Sequence, residues 1–205
     1  MIVIIDYDIG NVGAIKNMLA RLGYNSIISK NPHDIKNANK IILPGNGSYD
    51  SCLKNLRATR LVPVLEKKVL VDKTPILGIC VGAQMLGKSS EEGEEPGLGW
   101  IDMNVKKFQI KSNFPVPNMG WRKVLSKKNH HLTKFMDDQT RFYFVHSYYM
   151  TPENKEDILI LSNYDHSFVA GILHKNIIGV QFHPEKSHRF GKSFLKSFVD
   201  CNFYD

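Results

Sequence analysis

Cysteine is scarce in this chain: its 205 residues include three, Cys52, Cys80 and Cys201. An odd count without short spacing argues against a disulfide framework or a zinc site, and fits a reducing cytosol. No apolar run reaches the ~18–20 residues of a membrane span. The opening Met1-Ile2-Val3-Ile4-Ile5-Asp6 meets charge too early for a signal peptide and reads as a buried strand. No repeat, low-complexity tract or linker appears, so residues 1–205 are expected to form one domain. Long basic runs are missing as well. The net charge of +7 is scattered over pairs such as Lys67-Lys68, Lys106-Lys107 and Lys127-Lys128, which read as solvated faces. The aromatic residues fall mainly in expected strands rather than between those lysines, where base stacking would need them. Neither nucleic acid nor a membrane is therefore an expected partner. His130-His131 and His188 have no carboxylates at metal-ligand spacing, so no metal is expected either.

What is present is a sizeable apolar fraction, 42%, enough for one substantial core. Its pattern alternates strands with helices. A strand at Ile2–Asp6 precedes a helix near Gly13–Leu22, a strand at Ser26–Ser29, a short helix after Asn31-Pro32 and a strand at Lys40–Leu43. A helix through Leu53, Leu56, Leu61, Val64, Leu65 and Val69 follows, with Pro63 as a possible break. The next strand is Ile76–Ile79, entering a helix after Cys80. This order favours an α/β fold with a mostly parallel central sheet flanked by helices. Beyond Trp100 the expected strands look more antiparallel: Val105–Ile110, Arg141–Tyr149, Ile158–Ser162, Phe168–His174 and Ile177–Phe182. A helix at Arg189–Val199 closes the pattern.

Two segments carry the chemistry. In Gly78-Ile79-Cys80-Val81-Gly82-Ala83-Gln84, a buried strand stops at a glycine-flanked cysteine and turns into a helix, the context of a nucleophile elbow. Flanking glycines permit a tight, strained turn that leaves the sulfur at the top of a sheet. A helix N-terminus favours the thiolate, and the Val81 N–H could serve an oxyanion. In Val180-Gln181-Phe182-His183-Pro184-Glu185, an extended stretch would put His183 and Glu185 on one face, so that Glu185 orients the imidazole. Alone, Cys80 could be a small core residue. Together, Cys80, His183 and Glu185 supply a nucleophile, a base and its orienting group, which is what acyl transfer through a thiol requires.

These segments resemble the class I (triad) glutamine amidotransferases, and the likeness covers nearly the whole chain. It is most similar to the glutaminase subunit of imidazole glycerol phosphate synthase. The narrowing segments are Ile5-Asp6-Tyr7-Asp8-Ile9-Gly10-Asn11-Val12, Leu43-Pro44-Gly45-Asn46-Gly47, Glu91-Glu92-Gly93 with Gly97-Leu98-Gly99-Trp100, Pro117-Asn118-Met119-Gly120-Trp121, and Tyr143-Phe144-Val145-His146-Ser147-Tyr148-Tyr149. The resemblance implies a single-domain amidotransferase fold and a metal-free, cofactor-free glutaminase. It implies ammonia delivery to a (β/α)8-barrel cyclase/synthase partner in a heterodimer serving histidine biosynthesis.

By the same resemblance, the Gly45–Gly47 strand provides an oxyanion amide and part of the glutamine pocket. On residues alone it could be a plain turn; as a phosphate cradle it lacks the P-loop Lys-Ser/Thr. The resemblance also assigns substrate contacts to Gln84 and to the backbone around Ser147 and Tyr148, although Gln84 could be a mere helix-start residue. His146 reads as a structural histidine, and Cys52 and Cys201 as packing residues. Two residues depart from the family: Asn46 replaces its usual valine and Asn118 its usual histidine. Asn46 tolerates positive φ better than valine and is expected to alter how easily that strand flips. A paralogue feeding ammonia to a sugar-modifying amidotransferase in surface-polysaccharide synthesis is the alternative reading. Glutamine turnover is expected to stay slow until the partner and its acceptor are bound.

Overall fold

The computed structural model describes residues 1–111 and 113–203. The first half alternates as expected. Strand β1 (Ile2–Ile5) is wholly buried, and α1 (Val12–Arg21) turns Ile15 and Leu19, one helical turn apart, inward. Strand β2 (Ser26–Ser29) leads to α2 (Pro32–Lys36), where Pro32 occupies the first turn and the Asn31 side chain accepts from His33 N–H. After β3 (Lys40–Gly45), Ser48 caps α3 (Tyr49–Ala58). The expected single helix then breaks. Arg60 adopts φ +59°, and α4 (Val62–Glu66) begins afresh with Pro63 in its first turn before running into a π-helical turn, Lys67–Val71. Proline starts this helix instead of ending one, because its missing N–H costs nothing there.

Strand β4 (Ile76–Cys80) is fully buried and enters α5 (Val81–Gln84) directly. The remaining elements are β5 (Ser89–Ser90), β6 (Met103–Lys107), β7 (Asn118–Ser126), β8 (Arg141–His146), β9 (Tyr148–Pro152), β10 (Ile158–Tyr164), β11 (His166–His174), β12 (Ile177–Val180) and α6 (His188–Asp200). The main sheet runs β2-β1-β3-β4-β12-β11-β10-β7-β8, while β9 bridges β11 to β6 and β6 to β5. Its first five strands are parallel and the rest of the main path antiparallel.

Three expectations are corrected here, and one strand is added. Strand β12 lies parallel to β4, Val180 beside Ile79, so it belongs to the parallel half and carries its C-terminal end to the elbow. The expected Arg141–Tyr149 strand is two strands divided at Ser147. Strand β7 has no counterpart in the sequence reading, because its half-polar Asn118, Gly120, Arg122, Lys123 and Ser126 mask the alternation. His183–Glu185 is not extended: Pro184–Lys186 forms a 3-10 turn with His183 at its start.

The apolar core continues to the site. Phe142 of β8 stacks on Phe182 with ring centres 3.8 Å apart, and Phe194 of α6 meets Phe182 edge-on at 5.3 Å. These rings hold the segment just before His183 against both β8 and α6, each buried aromatic worth roughly 1.5–3 kcal/mol.

Candidate active site

Cys80 is the last residue of β4, in register with Gly45 of β3. Its φ of +55° and ψ of −116° make it a strained elbow, a conformation that costs a non-glycine residue roughly 1–3 kcal/mol. The flanking glycines therefore have a different task from the one expected. A Cβ on Gly82 would lie 2.1 Å from the Leu43 carbonyl oxygen and one on Gly78 2.7 Å from Ala83 Cα, while across from them on β3 a Cβ on Gly45 would lie 2.1 Å from Gly82 N. They let β3 and the start of α5 touch, while the cysteine itself takes the left-handed turn. The following helix is a single turn of 4 residues, so little macrodipole is available to the sulfur.

Cys80 stands at the end of its strand as expected, but it is not exposed there: only 4% of it is accessible. It is reached through a cavity of about 230 Å³, a volume suited to one small polar molecule. Gly47, Val81, Gln84, Ser147 and Tyr148 line this cavity with Cys80, joined by Asn46, Glu92, Pro117, Val145 and His146. Gly45 is not in the lining; it packs beneath it, against α5. The left-handed residue of the glycine-rich turn is Gly47, φ +99°, and not Asn46. The Asn46 carbonyl instead accepts from the Cys52 thiol at 3.5 Å, and the Pro44 carbonyl accepts from the buried Tyr7 hydroxyl.

His183 and Glu185 are both buried, and His183 Nδ1 donates to Glu185 Oε1 at 2.8 Å. The 3-10 turn thus brings about by local curvature what alternation on a strand was expected to do. With Nδ1 carrying the proton, Nε2 is the basic nitrogen. It is buried without a hydrogen-bond partner in the structure. Burial works against a charged imidazole here. The neighbouring Cys80 sulfur and the Glu185 carboxylate outweigh it and hold His183 far above the ordinary histidine range, at about 10. The imidazole is therefore held protonated through neutral pH, a positive charge beside the Cys80 sulfur of the kind that thiol nucleophiles use in acyl transfer.

His146 behaves as the structural histidine expected. Its Nδ1 donates to the Tyr148 carbonyl at 2.7 Å and its Nε2 accepts from Asn118 Nδ2 at 3.0 Å. Burial, with the charges of His183 and Arg122, pushes it down to about 4 against the opposing Tyr148 bond, so it is neutral. Cys52 and Cys201 are buried and take part in no disulfide. Gln84 donates to the Tyr148 carbonyl at 3.2 Å and to Gln181 Oε1 at 3.0 Å, while its own Oε1 is buried and unpartnered at the cavity wall. Sequence reasoning missed Gln181 and Glu92. The signal for Gln181 was a carboxamide inside the apolar run Ile177-Ile178-Gly179-Val180-Gln181-Phe182. Glu92 gave none, because its Glu91-Glu92 context reads as solvated; in the fold it is half-buried and its Oε2 accepts from Tyr49 N–H at 3.1 Å. No group of three His, Cys, Asp or Glu side chains able to hold a metal occurs among the described residues, and no helix among them is long and apolar enough to cross a membrane.

Residues 3–201 match the family of class-I glutamine amidotransferases. The chain is 47% identical over 200 residues to imidazole glycerol phosphate synthase subunit HisH 2 of Pseudomonas aeruginosa, covering 98% of this chain and 99% of that protein. It is also 47% identical over 199 residues to subunit HisH 2 of Methanococcus maripaludis, covering 97% and 98%, and 43% identical over 202 residues to subunit HisH of Leptospira borgpetersenii, covering 97% and 99%. In fold it is similar to a putative GMP synthase component from Thermoplasma acidophilum, with TM-score 0.71, 21% identity and coverage of 97% and 91%. PurLQS from Thermotoga maritima is likewise similar, with TM-score 0.71, 18% identity and 97% of each chain covered.

Proposed function

The chain belongs to the class-I glutamine amidotransferase family, and on that premise we propose that it is the glutaminase subunit of an imidazole glycerol phosphate synthase, with Cys80, His183 and Glu185 as its triad. The observation that carries the reading is the strained Cys80 at the foot of a small cavity, beside an imidazole whose far nitrogen is held by a buried carboxylate. The Cys80 thiolate attacks the side-chain carboxamide carbon of glutamine. His183 passes a proton to the departing ammonia, then takes one from the water that cleaves the thioester to glutamate. The Val81 N–H and the Gly45–Gly47 strand stabilise the oxyanion, and the unpartnered Gln84 Oε1 takes a donor of the substrate, with the Ser147–Tyr148 backbone as the facing wall.

Ammonia released into water protonates and ceases to be a nucleophile, so a partner must receive it directly. That partner is a (β/α)8-barrel synthase subunit, and the two form a heterodimer in the cytoplasm. Full-length likeness to subunits of that synthase supports the pairing, and buried cysteines outside any disulfide fit a reducing compartment. The exposed Met119 and Trp121 offer such a partner an apolar patch on one face of β7.

A second reading, a copy that supplies ammonia for sugar amidation, is favoured by one observation: Asn118, where the family's usual residue is histidine, is fully buried and bonded to His146 and Arg122 on the opposite face of that strand. The experiment separating them measures glutamate release with barrel subunits from the same genome. Stimulation by the histidine-pathway barrel and its ribulosyl-formimino substrate supports the first reading. Stimulation only by a barrel working with a sugar amidotransferase replaces it with the second.

A further inference from the structure

A continuous line of hydrogen bonds runs from the surface of β7 to the sulfur of Cys80. Arg122 Nε donates to Asn118 Oδ1 at 2.9 Å, Asn118 Nδ2 to His146 Nε2 at 3.0 Å, and His146 Nδ1 to the Tyr148 carbonyl at 2.7 Å. Gln84 Nε2 donates to the same carbonyl at 3.2 Å and to Gln181 Oε1 at 3.0 Å, and Gln181 Nε2 donates to Cys80 Sγ at 3.8 Å.

The sense of this line is set by groups that cannot reverse. A guanidinium only donates, so Asn118 turns its oxygen to Arg122 and its NH₂ to His146. The imidazole then accepts at Nε2 and carries its proton on Nδ1. A backbone carbonyl only accepts, so Gln84 presents its NH₂ to Tyr148. Reversing Gln84 would set oxygen against oxygen. Gln84 therefore gives its second proton to Gln181, which must offer its oxygen in return and leave its own NH₂ facing the sulfur. Gln181 is fully buried, and its backbone N–H is fixed to the Ala170 carbonyl at 2.9 Å, so the side chain has no solvent alternative.

We propose that Gln181 is a further catalytic residue, whose side-chain N–H is aimed at Cys80 by this line and stabilises the thiolate relative to the thiol. Asn118, His146 and Gln84 act through it as positioning residues. The same orientation leaves Gln84 Oε1 as the free acceptor at the cavity wall, so one carboxamide both takes a substrate donor and fixes the group behind the nucleophile. The proposal rests on Cys80 being the nucleophile. It adds a donor that neither the His183–Glu185 pair nor the single-turn α5 provides.

The test is the pH profile of iodoacetamide alkylation at Cys80, read by peptide mass spectrometry so that Cys52 and Cys201 do not interfere. In Gln181→Met, alkylation is expected to be about tenfold slower below the wild-type midpoint and to converge with wild type at high pH, the loss of one charge-assisted hydrogen bond. An unchanged profile, or equal slowing at every pH, overturns the proposal. A measurement on the wild-type chain decides the matter even if the variant fails to fold. The Gln181 side-chain ¹⁵N–¹H resonance should titrate with the alkylation midpoint and move when Cys80 is alkylated; a resonance indifferent to both also overturns it. Incubation of wild type with glutamine separates the two claims. With the barrel subunit and its acceptor present, a Cys80 thioester together with an unaltered Gln181→Met profile removes this proposal and keeps the triad, whereas absence of any thioester in that complete mixture removes the triad.

Discussion

His183 Nδ1 reaches Glu185 Oε1 at 2.8 Å across one turn of 3-10 helix, with Pro184 between them. The carboxylate is as buried as the imidazole it holds, at 2% against 3% side-chain exposure. A buried, hydrogen-bonded carboxylate acts on its partner through a low local dielectric, so both its charge and its geometry count. Glu185→Gln, which keeps an acceptor but removes the charge, is expected to lower glutaminase kcat by roughly two to four orders of magnitude. Steady-state glutamate release with the partner present checks this, and a loss under twofold would remove Glu185 from the triad.

The pH dependence of activity follows from His183. Its affinity for a proton is raised in the fold, so the imidazolium beside the Cys80 sulfur persists through neutral pH and is lost as pH rises through about 10. The alkaline limb of kcat/KM is expected there and not near an ordinary histidine value. The same sign governs stability: the ion pair contributes fully below the unfolded histidine value of about 6.5 and fades as pH climbs toward the folded one. An alkaline limb centred near pH 7 would contradict the coupling.

His146 has the opposite sign. Its proton affinity is depressed to about 4 in the fold, so the neutral, doubly bonded imidazole contributes stability above about 6.5 that is lost as pH falls toward 4. The contribution is on the order of 3 kcal/mol. Urea unfolding at pH 7 and at pH 4.5 is expected to show a smaller loss in His146→Gln than in wild type. Equal slopes would show that His146 does not stay neutral.

Tyr7 is fully buried and its hydroxyl donates to the Pro44 carbonyl, at the point where β3 leaves the sheet for the Gly45–Gly47 turn. Removing that hydroxyl strands a buried carbonyl, which costs roughly 1–3 kcal/mol. Tyr7→Phe is expected to lower stability by that amount and to reduce kcat more than it raises KM, because the turn that follows the anchored strand lines the cavity with Asn46 and Gly47. A variant with wild-type kcat would show that the anchor is structural only.

Much of the parallel half was legible in the sequence because its strands are continuous apolar runs closed by turn chemistry: Ser26–Ser29 was read residue for residue, and Asn31-Pro32 announced α2. The proposed triad could be named from the sequence because each member sits in a motif with a chemical reason. Strand β7 was not, since its polar alternate residues face neighbours supplied by distant parts of the chain, as Asn118 faces His146. The 3-10 turn at Pro184 was also hidden. Proline fixes φ alike in extended chain and in a first helical turn, so the residue itself does not choose. Gln181 escaped notice because its partners, Gln84 and Cys80, are near it only in the folded chain.

The central claim is that Cys80 forms a covalent bond with the side-chain acyl group of glutamine, and intact-mass spectrometry of the acid-quenched complex tests it most directly. Wild-type chain, mixed with glutamine and the proposed barrel partner, is predicted to carry a glutamyl adduct that maps to Cys80 and is absent from Cys80→Ala. Glutamate produced at the wild-type rate by Cys80→Ala, or an adduct mapping to Cys52 or Cys201, would contradict the account.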